Sequence, residues 1–369
     1  MARAYDRGIV PRRSMTHVAL GGAVLVSACS LLTPLDGFTG GADGPIEAGV
    51  TPDAASADAT GDAPSVDAAP DAPRGPRAWR KVAAVGPPGR HSGRSAYDAE
   101  RRRVVLYGGQ TAGNMFFGDT WEWDGATWTR AALAGGPPER RGMGMTYHAQ
   151  RRAAVVFSGA GHPGELWEYT GAAQWTLRPS FTVVPDTDHA HAIAYDARRG
   201  VTVLFGGYTT RALDETWEWD GAAWSKKSLP TSPRARRGHV LVYDAARGKV
   251  VLFGGRLDSG ATDDTWEYDG VTWTQRAPTN KPRARYGHCG AYDAARRVVT
   301  IVAGTEDALL NDVWEWDGDE WRSAASTPVA RRSCSLSYDA ARDALVLFGG
   351  TVSASGPTRA VDGDTWLFE

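Results

Sequence analysis

Between Trp79 and Glu369 the apolar residues fall in runs of four to six, broken by turns rich in Asp, Gly and Pro, and no stretch carries a helical period. The runs recur in register. Tyr97, Tyr147, Tyr195, Tyr243, Tyr292 and Tyr338 lie 46 to 50 residues apart, and twelve positions after each stands Gly109, Gly159, Gly207, Gly255, Gly304 or Gly350. The residue before that glycine is also Gly, except at Ser158 and Ala303. Trp121, Trp167, Trp217, Trp266, Trp314 and Trp366 form a further column, and a second Trp follows seven or eight residues later in every copy but the last. A period of this length marks a repeat architecture.

Each unit predicts four short strands, a to d. An Asp-led turn joins a to b at Asp98, Asp196, Asp244, Asp293 and Asp339. Asp-Gly joins c to d at Asp124, Asp220, Asp269 and Asp317, where glycine tolerates the positive φ of a tight hairpin. Strand b is the richest in Val, Leu, Ile and Phe, as in Val104 to Tyr107 and Val250 to Phe253, and should be buried on both faces.

With Gly-Gly after strand b and spaced aromatics in strands c and d, the repeat resembles the kelch family over Trp79 to Glu369. The resemblance implies an all-β fold, a six-bladed kelch-type β-propeller with one four-stranded sheet per blade around a central channel. The sixth copy ends before its last Trp, whereas Trp79-Arg80-Lys81-Val82 reads as a strand d placed ahead of the first full set. An N-terminal strand should therefore complete the last blade. The recurrent Trp residues read as blade core, because one binding site would not need them in every blade.

The N-terminus has a different character. Arg3, Arg7, Arg12 and Arg13 precede an apolar segment from Val18 to Ala28, too short for an ordinary transmembrane helix, which reads as an export signal. Leu25-Val26-Ser27-Ala28-Cys29 resembles a bacterial lipobox, implying a signal peptide over 1-29 and lipidation of Cys29. Residues 30-78 are Ala-, Asp- and Pro-rich, with eight acidic residues between Asp36 and Asp71 and no Lys or Arg until Arg74. So little apolar area cannot offset the cost of ordering, which predicts a disordered, extended tether ahead of a propeller at 79-369. The expected address is the bacterial cell envelope, at the outer membrane or cell surface.

The formal net charge of −2 divides unequally, with about −6 on the tether, about +3 on the signal and about +1 on the propeller. A nearly neutral domain lacks the footprint of a nucleic-acid binder. Cys289 and Cys334 stand three and four residues before their anchor tyrosines. Strand alternation then points them to opposite sides of neighbouring strands, so they are expected as buried free thiols.

With the repeated positions assigned to folding, function should lie in deviations and in the d–a and b–c loops, which share one face and vary most at Gln110 to Gly118, Arg256 to Asp263 and Thr351 to Gly363. Seven residues before the anchors stand Arg90, Arg140, Arg236, Arg285 and Arg331, with Asp188 as the exception. A guanidinium ring could bind carboxylates, sulfates or acidic sugars. Acids also recur once per blade, at Asp119, Glu165, Asp264 and Asp312, so structural pairing is the favoured expectation. Asp188-His189-Ala190-His191 offers His-x-His, which on a strand places both imidazoles on one face and makes a candidate metal site; His191, however, shares its column with His239 and His288.

No Gly-x-Ser-x-Gly elbow, His-Glu-x-x-His helix or phosphate-cradling loop is present. The expectation is an exported, lipid-anchored, monomeric propeller without cofactor that binds a glycan or protein through its loop face. The alternative is a carbohydrate-active enzyme, an oxidase or isomerase, working at the channel mouth with Asp188, His189 and His191.

Overall fold

The computed structural model describes residues 77–82, 85–132, 135–172, 174–179, 182–353 and 360–369. The signal at 1-29, Cys29 and all but the last two residues of the 30-78 tether lie outside the described residues. Those last two are already engaged. Arg77 pairs with Asp293 at 2.9 Å and Asp343 at 2.5 Å, and the Ala78 N–H donates to the Glu369 carbonyl at 2.9 Å. Both residues thus join the propeller's last blade and its neighbour.

The described residues form six four-stranded antiparallel sheets. Strands a are Arg94–Asp98, Gly144–His148, Ala192–Asp196, Val240–Asp244, Cys289–Asp293 and Ser335–Asp339, opening blades 1 to 6. Blade 6 closes with the N-terminal strand Trp79–Val82 against Thr365–Phe368, in the register Trp79↔Phe368, Arg80↔Leu367, Lys81↔Trp366 and Val82↔Thr365. The predicted closure is present. The only helix among the described residues is the single 3-10 turn Ala149–Arg151.

Strand b is buried on both faces, as expected, apart from its first residue in four blades, and the core lies between blades rather than inside each. Val104, Leu106, Trp123 and Trp128 of blade 1 pack with Val346, Phe348 and Leu367 of blade 6. In blades 2 and 3, Val155, Phe157 and Leu166 pack with Ile193, Leu204, Trp217, Trp219 and Trp224. Each large ring therefore seals a junction, and the indole N–H finds a partner across it. Trp128, Trp175, Trp273 and Trp321 donate to the hydroxyls of Thr365, Thr120, Thr216 and Thr265 in the preceding blade at 2.8 to 3.0 Å.

Backbone hydrogen bonds complete each junction. The N–H of the second glycine in the Gly-Gly column donates to the carbonyl seven residues before the next anchor, as in Gly109 to Arg140 at 2.9 Å and Gly350 to Arg90 at 2.8 Å. Gly109 aims that N–H from φ +109, and a Cβ there would come within 2.9 Å of the Gly93 nitrogen. Glycine is required on both counts.

A second set closes on itself around the axis. Ser92 donates to Ser333 at 2.7 Å, Ser333 to Gly287 at 2.5 Å, Gly287 to Gly238 at 2.7 Å, Gly238 to Ala190 at 2.8 Å, Ala190 to Gly142 at 2.8 Å and Gly142 to Ser92 at 3.0 Å. All six residues have φ between +55 and +65, a left-handed conformation that Ser92, Ala190 and Ser333 hold with a side chain. The result is a collar of six main-chain hydrogen bonds at the upper end of the channel.

Cys289 and Cys334 form a disulfide with a Cα–Cα separation of 5.9 Å, correcting the expectation of free thiols. The error lay in treating the two strands as members of one sheet. Strands a of adjoining blades converge on the channel without pairing to each other, and Cys334 precedes its strand, next to the left-handed Ser333 of the collar. Alternation within a sheet therefore does not govern their relative direction.

Trp217 is 5% exposed in the junction between blades 2 and 3. Trp217→Ala should cost about 3–5 kcal/mol by cavity creation, and a chemical denaturation curve unchanged from the parent would contradict its place in the core.

Candidate functional site

The five arginines of the predicted ring are fully buried, each just after the d–a loop as the chain enters strand a. Their guanidinium groups are already engaged. Arg90 meets Asp119 through both terminal nitrogens at 2.5 and 3.0 Å, Arg236 meets Asp264 at 2.6 and 2.8 Å, and Arg285 meets Asp312 at 2.6 and 2.7 Å. Arg140 holds Glu165 at 2.6 Å, and Arg331 reaches Asp362 at 2.8 Å. The Nη1 groups also donate to the carbonyls of Gly108, Ser158, Gly254, Ala303 and Gly349, so each arginine fastens the d–a entry to the end of strand b. Burial alone would raise the carboxyls of Asp119, Asp264 and Asp312. The hydrogen bonds and charge of their arginines outweigh it and hold them below the usual carboxylate range. The favoured expectation of pairing with these strand-c acids is what the geometry shows.

Asp188, His189 and His191 do not share a face. Ala190, at φ +59, turns the chain between the two histidines. His189 Nδ1 lies 2.9 Å from Asp188 Oδ2 and its ring packs edge-on against Tyr208 on the loop face. His191 points the other way, with Nε2 3.0 Å from the Gly144 nitrogen and 3.2 Å from the Phe157 carbonyl. Among the described residues no three His, Cys, Asp or Glu side chains cluster as metal ligands.

Sequence reasoning missed the residues one position further on. The column after the buried arginines runs His91, Arg141, His189, Arg237, Tyr286 and Arg332, immediately before the collar. Arg141, Arg237, Arg332 and the adjoining Arg256 have no carboxylate partner among the described residues. Arg237 stacks over Tyr208 at 4.0 Å, Arg141 lies 5.7 Å from the Phe116 ring, and Arg256 lies 5.2 Å over Tyr286 while donating to its hydroxyl at 3.1 Å. The backbones of Arg237 and Arg256 are bridged to each other. Exposed acids stand further out on the b–c loops, at Asp258, Glu306 and Asp307. The available signal was the Arg-Arg doublet at 140–141, 236–237 and 331–332, whose members have opposite fates.

Below the collar, the channel holds His191, His239 and His288, one per blade in successive blades. Burial lowers His191 and His288 to about 3 and puts His239 well below the usual imidazole value. His148 occupies the a–b turn position held by Asp in the other blades, stacked against Tyr195 with centroids 4.2 Å apart, and burial lowers it to about 4.

These features define a closed six-bladed propeller with an aromatic-flanked arginine rim on its d–a and b–c face. The KLHDC2/KLHL20/DRC7 Kelch-repeats domain model matches residues 165–350, just over half of the chain, and the protein belongs to this kelch-repeat family. No curated protein matches the chain. Kelch propellers are commonly protein-interaction modules.

Removing one buried arginine leaves its acid without a counter-charge. Arg236→Met should lose about 2–4 kcal/mol, discounted for the partial exposure of Asp264, and a denaturation midpoint equal to the parent's would contradict the pairing. The four buried imidazoles stay neutral in the fold, whereas an unfolded chain would protonate them below about pH 6.5. Stability should therefore fall as pH drops from 7 to 5, by about 1 kcal/mol per pH unit on average for each group. Urea midpoints across that range check it, with a shallower fall in His148→Phe.

Proposed function

We propose that this chain is an exported, lipid-anchored kelch propeller that binds an acidic protein segment or carboxylated or sulfated glycan through its d–a and b–c loop face. The observation that carries the reading is the set of four arginines without carboxylate partners, Arg141, Arg237, Arg256 and Arg332, around the collar. Three of them are held against aromatic rings. An arginine stacked on a tyrosine keeps its donor edge available to a planar carboxylate or sulfate, and the stacking limits the entropy lost on binding. The rim thus offers what the buried ring of Arg90, Arg140, Arg236, Arg285 and Arg331 has already committed to internal acids.

Export is supported by the Cys289–Cys334 disulfide, a bond favoured outside the reducing cytosol, together with the lipobox-like run ending at Cys29. The carbohydrate-active alternative required Asp188, His189 and His191 to converge at the channel mouth, and the turn at Ala190 separates His191 from the Asp188–His189 pair.

Purified full chain should bind acidic members of a glycan array or a Glu-rich peptide, with affinity falling as salt rises. Arg237→Ala/Arg332→Ala should weaken that binding at least tenfold without shifting the melting temperature. Equal binding by parent and double variant would refute the rim as the site.

A further inference from the structure

Arg94 is a half-buried cation that stands outside the pairing scheme of the other channel-side arginines. It stands three residues before its anchor, where the other blades carry Gly144, Ala192, Val240, Cys289 and Ser335, so the repeat does not account for it. It has no carboxylate partner among the described residues, and its one hydrogen bond runs from Nη1 to the adjacent Gly93 carbonyl at 3.3 Å. The side chain lines a cavity of about 90 Å³ beneath the collar, shared with His191, His239, His288, Ser95 and Ser335 and containing no acid. Met145, Ile193, Leu241 and Leu336 supply its apolar wall.

The imidazoles are as underused as the arginine. His239 and His288 are 4% and 5% exposed; each faces the Phe205 or Phe253 carbonyl, as His191 faces that of Phe157, and their ring nitrogens make no well-formed hydrogen bond, nor does His191 Nδ1. The Ser335, Ser95 and Ser337 hydroxyls form a chain with oxygens 2.5 and 2.6 Å apart, adding a polar edge beside Arg94. A half-buried cation without a counter-charge is poorly solvated, and a neutral imidazole carries one N–H that its tautomer can present to an anion without being protonated.

We propose that this cavity binds one small inorganic anion, chloride or an oxyanion no larger than phosphate, with Arg94 as its counter-charge and His239 and His288 as hydrogen-bond donors. The volume excludes a sugar ring or peptide, which need several hundred Å³. The site is therefore separate from the rim on the loop face and does not depend on that reading.

The test is a melting-temperature titration of the full chain in gluconate buffer, whose anion is too large for the cavity, with chloride and phosphate added separately. The parent should show a saturable rise with at least one of them. Arg94→Met should lose the saturable component while keeping the general salt effect common to both proteins, and should melt above the parent in gluconate alone. Identical titrations of parent and variant, or no saturable rise in the parent with either anion, would overturn the proposal. Crystals of the unmodified chain grown in bromide and in phosphate give a check independent of the variant's folding: an anomalous bromide peak or tetrahedral phosphate density within hydrogen-bond distance of the Arg94 guanidinium supports the site, and featureless density there with both anions at saturation overturns it.

Discussion

A ring of six main-chain hydrogen bonds can form only if the sixth blade returns to the first. The collar from Ser92 through Ser333, Gly287, Gly238, Ala190 and Gly142 is that condition in its plainest form, since each N–H donates to the preceding blade and the last bond is possible only in a closed circle. Further out, the strand Trp79–Val82 enforces the same closure by pairing with Thr365–Phe368. Between these radii lie the Gly-Gly donors, the Trp-to-Thr bonds and the anchor tyrosines. The hydroxyls of Tyr97, Tyr243 and Tyr292 accept from the main chain of the preceding blade's a–b turn at 3.1 to 3.2 Å. Opening one junction sacrifices several bonds of different chemistry at once, which makes the array cooperative although it is built of repeats.

The side-chain half of this arrangement was legible in the sequence. Tyr, Gly-Gly and Trp recur because each has one geometric task per blade, and the recurrence of acids beside the Arg90 column pointed correctly to internal pairing. The main-chain half was not. The collar carries no residue signature beyond a column of small residues, because its bonds are made by groups that every amino acid possesses, and only the left-handed φ restricts the choice. The disulfide was misread for a related reason. Cys289 opens its strand and Cys334 precedes the strand of the next blade, and the relation of those blades is set by curvature around the axis, which sequence alternation does not encode.

The candidate rim was hidden by its resemblance to the structural ring. In Arg140-Arg141, Arg236-Arg237 and Arg331-Arg332 the first guanidinium is buried and paired while the second reaches the loop face, and composition treats both alike. What distinguishes them is one residue of advance into a left-handed collar. That step turns the side chain from the blade interior towards the b–c loops, where Tyr208 and Tyr286 receive Arg237 and Arg256. A binding surface assembled this way can change its chemistry without disturbing the fold, because the residue that fastens the loop and the residue that faces the ligand are neighbours with separate tasks.

Departures from the repeat are concentrated at one junction. Between blades 2 and 3, Leu166 stands where the other junctions mostly place Thr, Asp188 replaces the buried arginine, and His148 replaces the turn aspartate. The Trp224 indole nitrogen, whose counterparts bond to Thr in four other blades, has no protein partner here, and His148 is buried without one. Leu166 compensates in part by packing with Trp219 and Trp224, and the Ser158 hydroxyl takes up the Thr187 carbonyl at 2.5 Å. The junction thus exchanges several polar fastenings for apolar contact and one hydroxyl bond. Its collar bond, Ala190 to Gly142, is nevertheless 2.8 Å, within the 2.5 to 3.0 Å spanned by its counterparts elsewhere in the ring. The other five junctions and a covalent link between blades 5 and 6 hold the circumference at the length this sixth one must span, so its local chemistry can vary while its geometry cannot.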